Sequence, residues 1–235
     1  MKKLFLPFFL IFISHSFSQQ LPDSQLRINP SLEYSFNKKW ATSFDYMYCL
    51  EDNFNQFQGS IIQLGVDYSV NKKLKFGFAY RFTTSFIDDN HRFFVNAQYK
   101  MKFNRISIAS ALRYEYQTDN FDPEYMQFYN PPTHTFRKRV TFEYNVPNSK
   151  LSFSFAPELF LRLDQVGLEY NRFRYDIGCK YNLPKGQRVG LTVFFDDYGS
   201  TKKTDRFVWV TNYNIDLNGL FKKSKKLKKP KNPLN

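Results

Sequence analysis

The feature that most constrains this chain is an alternation of period two that runs along nearly its whole length. In 74-LKFGFAYRFTTSF-86, Leu74, Phe76, Phe78, Tyr80, Phe82, Thr84 and Phe86 share one parity. Lys75, Gly77, Ala79, Arg81, Thr83 and Ser85 share the other. Successive side chains point to opposite faces in an extended strand, so the stretch reads as one β-strand with an apolar and a polar face. The pattern returns over 27–36, 40–50, 60–70, 91–101, 106–117, 136–146, 151–163, 172–183, 188–197 and 206–217. Strands of soluble globular proteins usually run about five or six residues, whereas a membrane-crossing strand needs about nine to eleven. The length points to a membrane.

The connections between these segments follow a second rhythm. Those at 37–39, 71–73, 102–105, 147–150 and 184–187 are short and polar, and most carry the Asn, Pro or Gly of tight hairpins. Those at 51–59, 87–90, 118–135, 164–171 and 198–205 are longer. Short turns on one rim and longer loops on the other are the pattern of a transmembrane barrel with periplasmic turns and extracellular loops. A soluble sandwich offers no reason for it.

Side-chain volume sets the orientation. Phe76, Phe78, Tyr80, Phe82, Phe142, Tyr144, Phe153, Phe155, Phe173 and Tyr175 stand for a much longer series on the apolar parity. A barrel of eight or a few more strands cannot hold such a series inside. The aromatic face therefore points outward to lipid, with Trp40, Tyr48, Tyr80, Tyr116, Tyr181 and Trp209 near strand ends suited to interfacial girdles. The inward parity offers Gly77, Ala79, Ser107, Ala109, Ala111, Ser152, Ser154 and Ala156, with scattered charges. Composition agrees. Aromatics make up 20% of 235 residues, yet mean hydropathy is −0.53, which excludes several membrane helices and fits strands that dilute each apolar residue with a polar neighbour.

The N-terminal MKKLFLPFFLIFISHSFSQQ has Lys2 and Lys3, an apolar run from Leu4 to Ile13, and small residues at Ser16 and Ser18. It reads as a secretory signal peptide over 1–18, cut before Gln19. The barrel is expected over 19–221 and a Lys-rich disordered tail over 222–235. That tail's seven lysines and the two near the N-terminus account for nine of the +13 charges, leaving +4 for the body. The body is therefore not expected to bind nucleic acid. Cys49 and Cys179 lie on opposite strand faces, so no disulfide is expected, and with His91 and His134 they make no convincing metal site. No cofactor is expected.

The runs NKKWATSFDYMY, IIQLGVDYSVNKKLKFGFAYRF, HRFFVNAQYKMKFNRISIASALRYEYQ, RKRVTFEYNVPNSKLSFSFAPELFLRL and NRFRYDIGCKYNLPKGQRVGLTVFF resemble the domain of unknown function 2490 family. The resemblance covers roughly residues 27–221. It implies an outer-membrane barrel of the kind common in Bacteroidota-type bacteria, and it carries no activity and no functional residues. The expected fold is an all-β, antiparallel up-and-down barrel of 10–12 strands in the bacterial outer membrane. Its expected partners are outer-membrane lipid, lipopolysaccharide and the barrel assembly machinery; the oligomeric state stays open. Eleven segments are visible where bacterial barrels have an even number. Either 27–36 lies partly in the lumen and ten strands close, or a twelfth hides in 19–26. The last segment, 206-RFVWVTNYNIDLNGLF-221, is expected to continue as strand, with Leu217, Gly219 and Phe221 outward.

Arg81, Arg92, Arg113, Glu115, Arg137, Arg139, Glu143, Glu158, Arg162, Arg172, Arg174 and Asp176 fall on the lumen parity. They suit either a salt-bridged network that fills a narrow lumen or an Arg-lined constriction favouring anions. The role expected is structural, surface-interaction or minor permeation, without enzymatic activity. One alternative is a barrel lipid hydrolase or acyltransferase, with His91, Asp89 and Ser85 as candidate catalytic residues near one rim. Another is a secreted soluble ligand-binding β-barrel.

Overall fold

A computed structural model of the protein describes residues 24–86, 89–122, 131–163, 167–199 and 205–221. The expected signal peptide and Lys-rich tail lie outside the described residues. Eleven strands close on themselves: β1 (Ser24–Ser35), β2 (Trp40–Glu51), β3 (Gln56–Ser69), β4 (Leu74–Ser85), β5 (Asp89–Phe103), β6 (Ile106–Thr118), β7 (Thr133–Asn145), β8 (Leu151–Leu163), β9 (Leu168–Asn182), β10 (Gln187–Asp197) and β11 (Arg206–Asp216). Consecutive strands are antiparallel neighbours, and β1 meets β11 in parallel, from Ser24 beside Phe207 to Glu33 beside Asp216. Eleven lies within the expected 10–12; what is corrected is the even count, whether ten strands or twelve. An odd count closes because the first and last strands run the same way. Both start at the long-loop rim and end at the tight-turn rim.

The strands are steeply staggered. A row of paired residues from Arg27 through Val210, Thr192, Gly178, Ser154, Glu143 and Ser107 ends at Lys102, beside the tight-turn rim. Followed the other way, through Cys49 and Gly59, it ends at Ser85 on the loop rim. Stagger of this kind is what closing a sheet into a barrel demands.

Several boundaries differ from the sequence expectation. The connection expected over 51–59 is a four-residue turn at 52–55, with Asp52, Asn53 and Phe54 at positive φ. A bulge between Cys49 and Leu50 shifts the register there and hides the start of β3 from a strict parity reading. Gly59 sits beside that bulge, where a Cβ would run into the Thr84 carbonyl oxygen. A second shift, between Phe160 and Leu161, likewise hides the first, loop-side residues of β9. The last strand stops at Asp216, and Leu217–Leu220 form a helical turn, α1. Leu217 and Gly219 therefore do not continue the strand. Asp216 caps that turn by accepting from the Asn218 backbone N–H at 3.0 Å. Gly219 packs directly on Gly186 in the β9–β10 turn, where a side chain would clash.

The outer surface is apolar. Phe76, Phe78, Phe142, Tyr144, Phe153, Phe155 and Tyr175 are all exposed there, Phe78 at 51% and Ile177 at 65%. Tyr80, Phe82 and Phe173 share this surface but are half covered by neighbouring rings.

Candidate functional site in the barrel interior

The inner face concentrates the buried polar groups. Asp196 of β10 has no solvent exposure and holds three arginines. Arg174 Nε and Nη2 donate to its two oxygens at 2.6 and 2.9 Å, Arg206 Nε donates at 3.0 Å, and Arg172 lies at 3.4 Å. Glu115 of β6 gathers another three: Arg137 at 2.5 Å, and Arg92 and Arg113 at 3.6 Å each. Arg137 reaches on to Glu158 at 2.7 Å, Glu158 to Arg139 at 3.4 Å, and Arg139 to Asp176 at 2.6 Å. The chain of contacts thus ties β5 through β9 together, and the Asp196 cluster ties β9, β10 and β11. A smaller group near the tight-turn rim joins Glu143 to Lys180 at 2.8 Å and Lys100 at 3.5 Å. Arg162 is exposed at the loop rim, apart from these clusters.

Aromatic rings divide the charges. Phe160, only 1% exposed, lies under the guanidinium groups of Arg172, Arg137 and Arg174 at 3.8, 4.3 and 5.2 Å. Phe194 supports Arg174 at 3.8 Å and Arg27 at 5.3 Å, and Phe94 supports Arg113 at 4.5 Å. Arginine over an aromatic face keeps its charge while burying its plane, which lets a narrow interior hold many guanidinium groups.

These inward rings correct the expectation that small residues and ion pairs alone fill the interior. Their signal was present in the doublets Phe93–Phe94 and Phe194–Phe195 and in Leu159–Phe160–Leu161, since one of two adjacent apolar residues must face inward. Arg27, Asp196 and Arg206 were also missed. Asp196 sits in an acidic doublet, and Arg27 lies in the segment whose place in the wall was unsettled.

The candidate catalytic group is not assembled. His91 is on the outer face, where its Nδ1 shares a hydrogen bond of 2.7 Å with the Tyr80 hydroxyl and its ring packs on Phe82 and Phe121. Ser85 faces the other way, beside Gly59 on the inner parity, and Asp89 pairs with Thr84. His134 repeats the His91 arrangement one hairpin on, sharing 2.6 Å with the Tyr114 hydroxyl. Between the rims, the outer face of the described strands carries one charged residue, Lys138, whose amine donates to Ser110 Oγ at 2.6 Å. Cys49 is buried on the inner face and Cys179 lies on the outer one, both as free thiols.

A closed barrel of eleven strands, apolar outside and crossed by a buried arginine–carboxylate network, defines the class of protein. Within that class, the chain matches the family model described as "Protein of unknown function (DUF2490)" over residues 25–206 and belongs to that family. No curated protein matches it in sequence. Two solved structures are similar at a distance. One, described as a bacterial polysaccharide outer membrane secretin, has a TM-score of 0.47, 16% identity and coverage of 74% of this chain and 64% of the other. The second comes from work on in-meso crystallization of membrane proteins, with a TM-score of 0.41, 12% identity and 80% of each chain covered. This chain therefore spans 64% of the length of the first.

Proposed function

We propose that the protein is an outer-membrane β-barrel whose charged interior acts as a rigid plug, giving it a structural or surface-interaction role with minor permeation of small anions. The observation that carries this is the opposition of the two faces. An apolar belt, in which Lys138 is the one charge between the rims among the described residues, surrounds an interior in which Asp196, Glu158 and Glu115 are almost wholly buried among arginines. Water does not tolerate an apolar belt of that extent, and lipid does. Export by the N-terminal segment 1–18 and insertion by the barrel assembly machinery complete the reading, with lipopolysaccharide around the long-loop rim. The tight turns then face the periplasm. The interior network needs no catalytic role, and the reading is non-enzymatic.

Two measurements test it together. The protein should partition with membranes, require detergent, and migrate faster unheated than heated on gels. Recovery as a detergent-free soluble protein would overturn the membrane assignment. In planar bilayers the expected result is small, anion-favouring conductance. A wide or cation-selective pore would rule out an arginine-filled plug.

A further inference from the structure

The tight-turn rim is a ring of uncompensated positive charge. The β1–β2 and β3–β4 turns repeat one motif, Asn-Lys-Lys, at 37–39 and 71–73. In each, the Asn Oδ1 accepts from the backbone N–H groups two and three residues on, at 2.8 and 2.9 Å. One scaffold thus carries Lys38 and Lys39 in the first turn and Lys72 and Lys73 in the second, all four exposed. The β5–β6 turn adds Lys102 and Arg105, and the last two turns add Lys150 and Lys185, likewise exposed. The acids nearest this rim are already engaged: Glu33 with Arg188, Asp67 with Lys75, Glu143 with Lys100 and Lys180, and Asp216 as the cap of α1. Among the described residues, none of these turn cations has a carboxylate within ion-pair distance. The opposite rim is acidic, with Asp52, Asp89, Asp119 and Asp122 against Arg162.

The cations border an aromatic girdle. Lys39 precedes Trp40, whose ring lies 4.8 Å from that of Tyr68. Phe103, Tyr144 and Tyr181 stand exposed on the outer face at the same end of the barrel. Such rings settle at the boundary between acyl chains and headgroups, which puts the turn cations at headgroup level around the barrel. We infer that the tight-turn rim binds anionic phospholipid of the phosphatidylglycerol class, whose phosphates supply the missing counter-charge. Lysine and arginine at a membrane surface draw such lipids, and a zwitterionic headgroup brings no net charge to balance them. An acidic protein would answer the cations but not the girdle beside them. Phe221 lies on this same rim, and the seven lysines of 222–235 follow it. The inference rests on the membrane reading proposed above and names the lipid on one side of it.

The test offers the full-length barrel, folded in a neutral detergent, an equal mixture of phosphatidylglycerol and phosphatidylcholine. Native mass spectrometry after gel filtration counts the lipids retained. Phosphatidylglycerol should be preferred, and the preference should weaken as salt rises. A variant carrying Lys38→Gln, Lys39→Gln, Lys72→Gln and Lys73→Gln should lose about tenfold or more of it, since each cation near an anionic surface contributes severalfold. Changing the seven lysines of 222–235 to Gln should leave most of the preference in place, and Arg162→Gln at the other rim should leave all of it. Equal retention of the two lipids would overturn the inference. So would an undiminished preference in the four-Gln variant, shown folded by heat-modifiable migration, or a loss confined to the tail variant. Capture of soluble polyglutamate with no choice between the lipids would overturn it in favour of an acidic protein partner. A barrel that requires detergent yet shows no lipid preference would fail this inference and leave the membrane reading intact, whereas recovery without detergent would fail the membrane reading itself.

Discussion

Arg174 grips Asp196 through two parallel bonds, Nε to Oδ1 at 2.6 Å and Nη2 to Oδ2 at 2.9 Å, on a carboxylate with no solvent exposure. The pair sits on neighbouring strands at the same register position. The two side chains therefore lock β9 to β10 from inside, while Arg206 extends the lock to β11. Charge in this interior works as a fastener between staves.

Removing Asp196 should accordingly be severe. Asp196→Asn leaves Arg172, Arg174 and Arg206 without their shared counter-charge, and breaking a buried pair costs about 3–5 kcal/mol. Urea unfolding of the barrel in lipid vesicles reads this. Asp196→Asn combined with Arg174→Gln should lose less than the sum of the single changes, because the two act on one interaction.

Outward positions should punish charge by depth. Phe78, paired with Val66 and Val95, sits well inside the apolar belt, and Phe78→Arg should cost about 2–4 kcal/mol. Phe86, beyond the end of β4 and 83% exposed, should tolerate Arg at about 0–1 kcal/mol. Equal stability of the two variants would mean the outer face is not in lipid.

Lys138 gives the opposite sign. It is the outward cation of the belt, satisfied by Ser110 alone among the described residues. Lys138→Leu should stabilise the barrel in vesicles by about 1–3 kcal/mol, between the interfacial and midplane costs of a lysine. A marked loss of stability would show that the amine meets an anionic partner.

At the tight-turn rim one side chain extends the β1–β11 seam beyond its backbone ladder. Asn218 Oδ1 accepts from the Ser35 backbone N–H at 2.6 Å, and its Nδ2 donates to the Ser35 carbonyl at 2.9 Å, which mimics one more rung of ladder. Asn218→Ala should destabilise the barrel by about 1–2 kcal/mol and speed hydrogen exchange at the ends of β1 and β11. Unchanged exchange there would mean that Asn29, Ser31, Asn212 and Asn214 on the inner face hold the closure without it.

Parallel closure also sets which side each terminus of the barrel occupies. In a protein carrying Cys49→Ser and Cys179→Ser, Ser24→Cys at the loop-rim end of β1 should react with an impermeant maleimide on intact cells. Lys38→Cys in the β1–β2 turn should react only after permeabilisation. The reverse pattern would invert the barrel.

Much of this molecule is legible from residue parity, because the two-residue repeat of an extended chain is a local property. It separates Phe76, Phe78 and Tyr80 from Gly77, Ala79 and Arg81 without knowledge of any neighbour. Strand length and turn rhythm add the barrel class by the same local means. The even-strand expectation failed because closure is not local. Whether β1 joins the wall, and in which direction, is decided by its register with β11, a pairing of residues some 183 positions apart such as Asn29 with Asn212. The same holds for the interior chemistry. Parity says that Arg27, Arg81 and Arg174 point inward, but the stagger of the strands decides which partner each one meets. By itself the sequence determined the faces of the strands. Only the closed structure decided who stands opposite whom, because counter-charge, ring stacking and seam pairing all depend on register summed around the barrel.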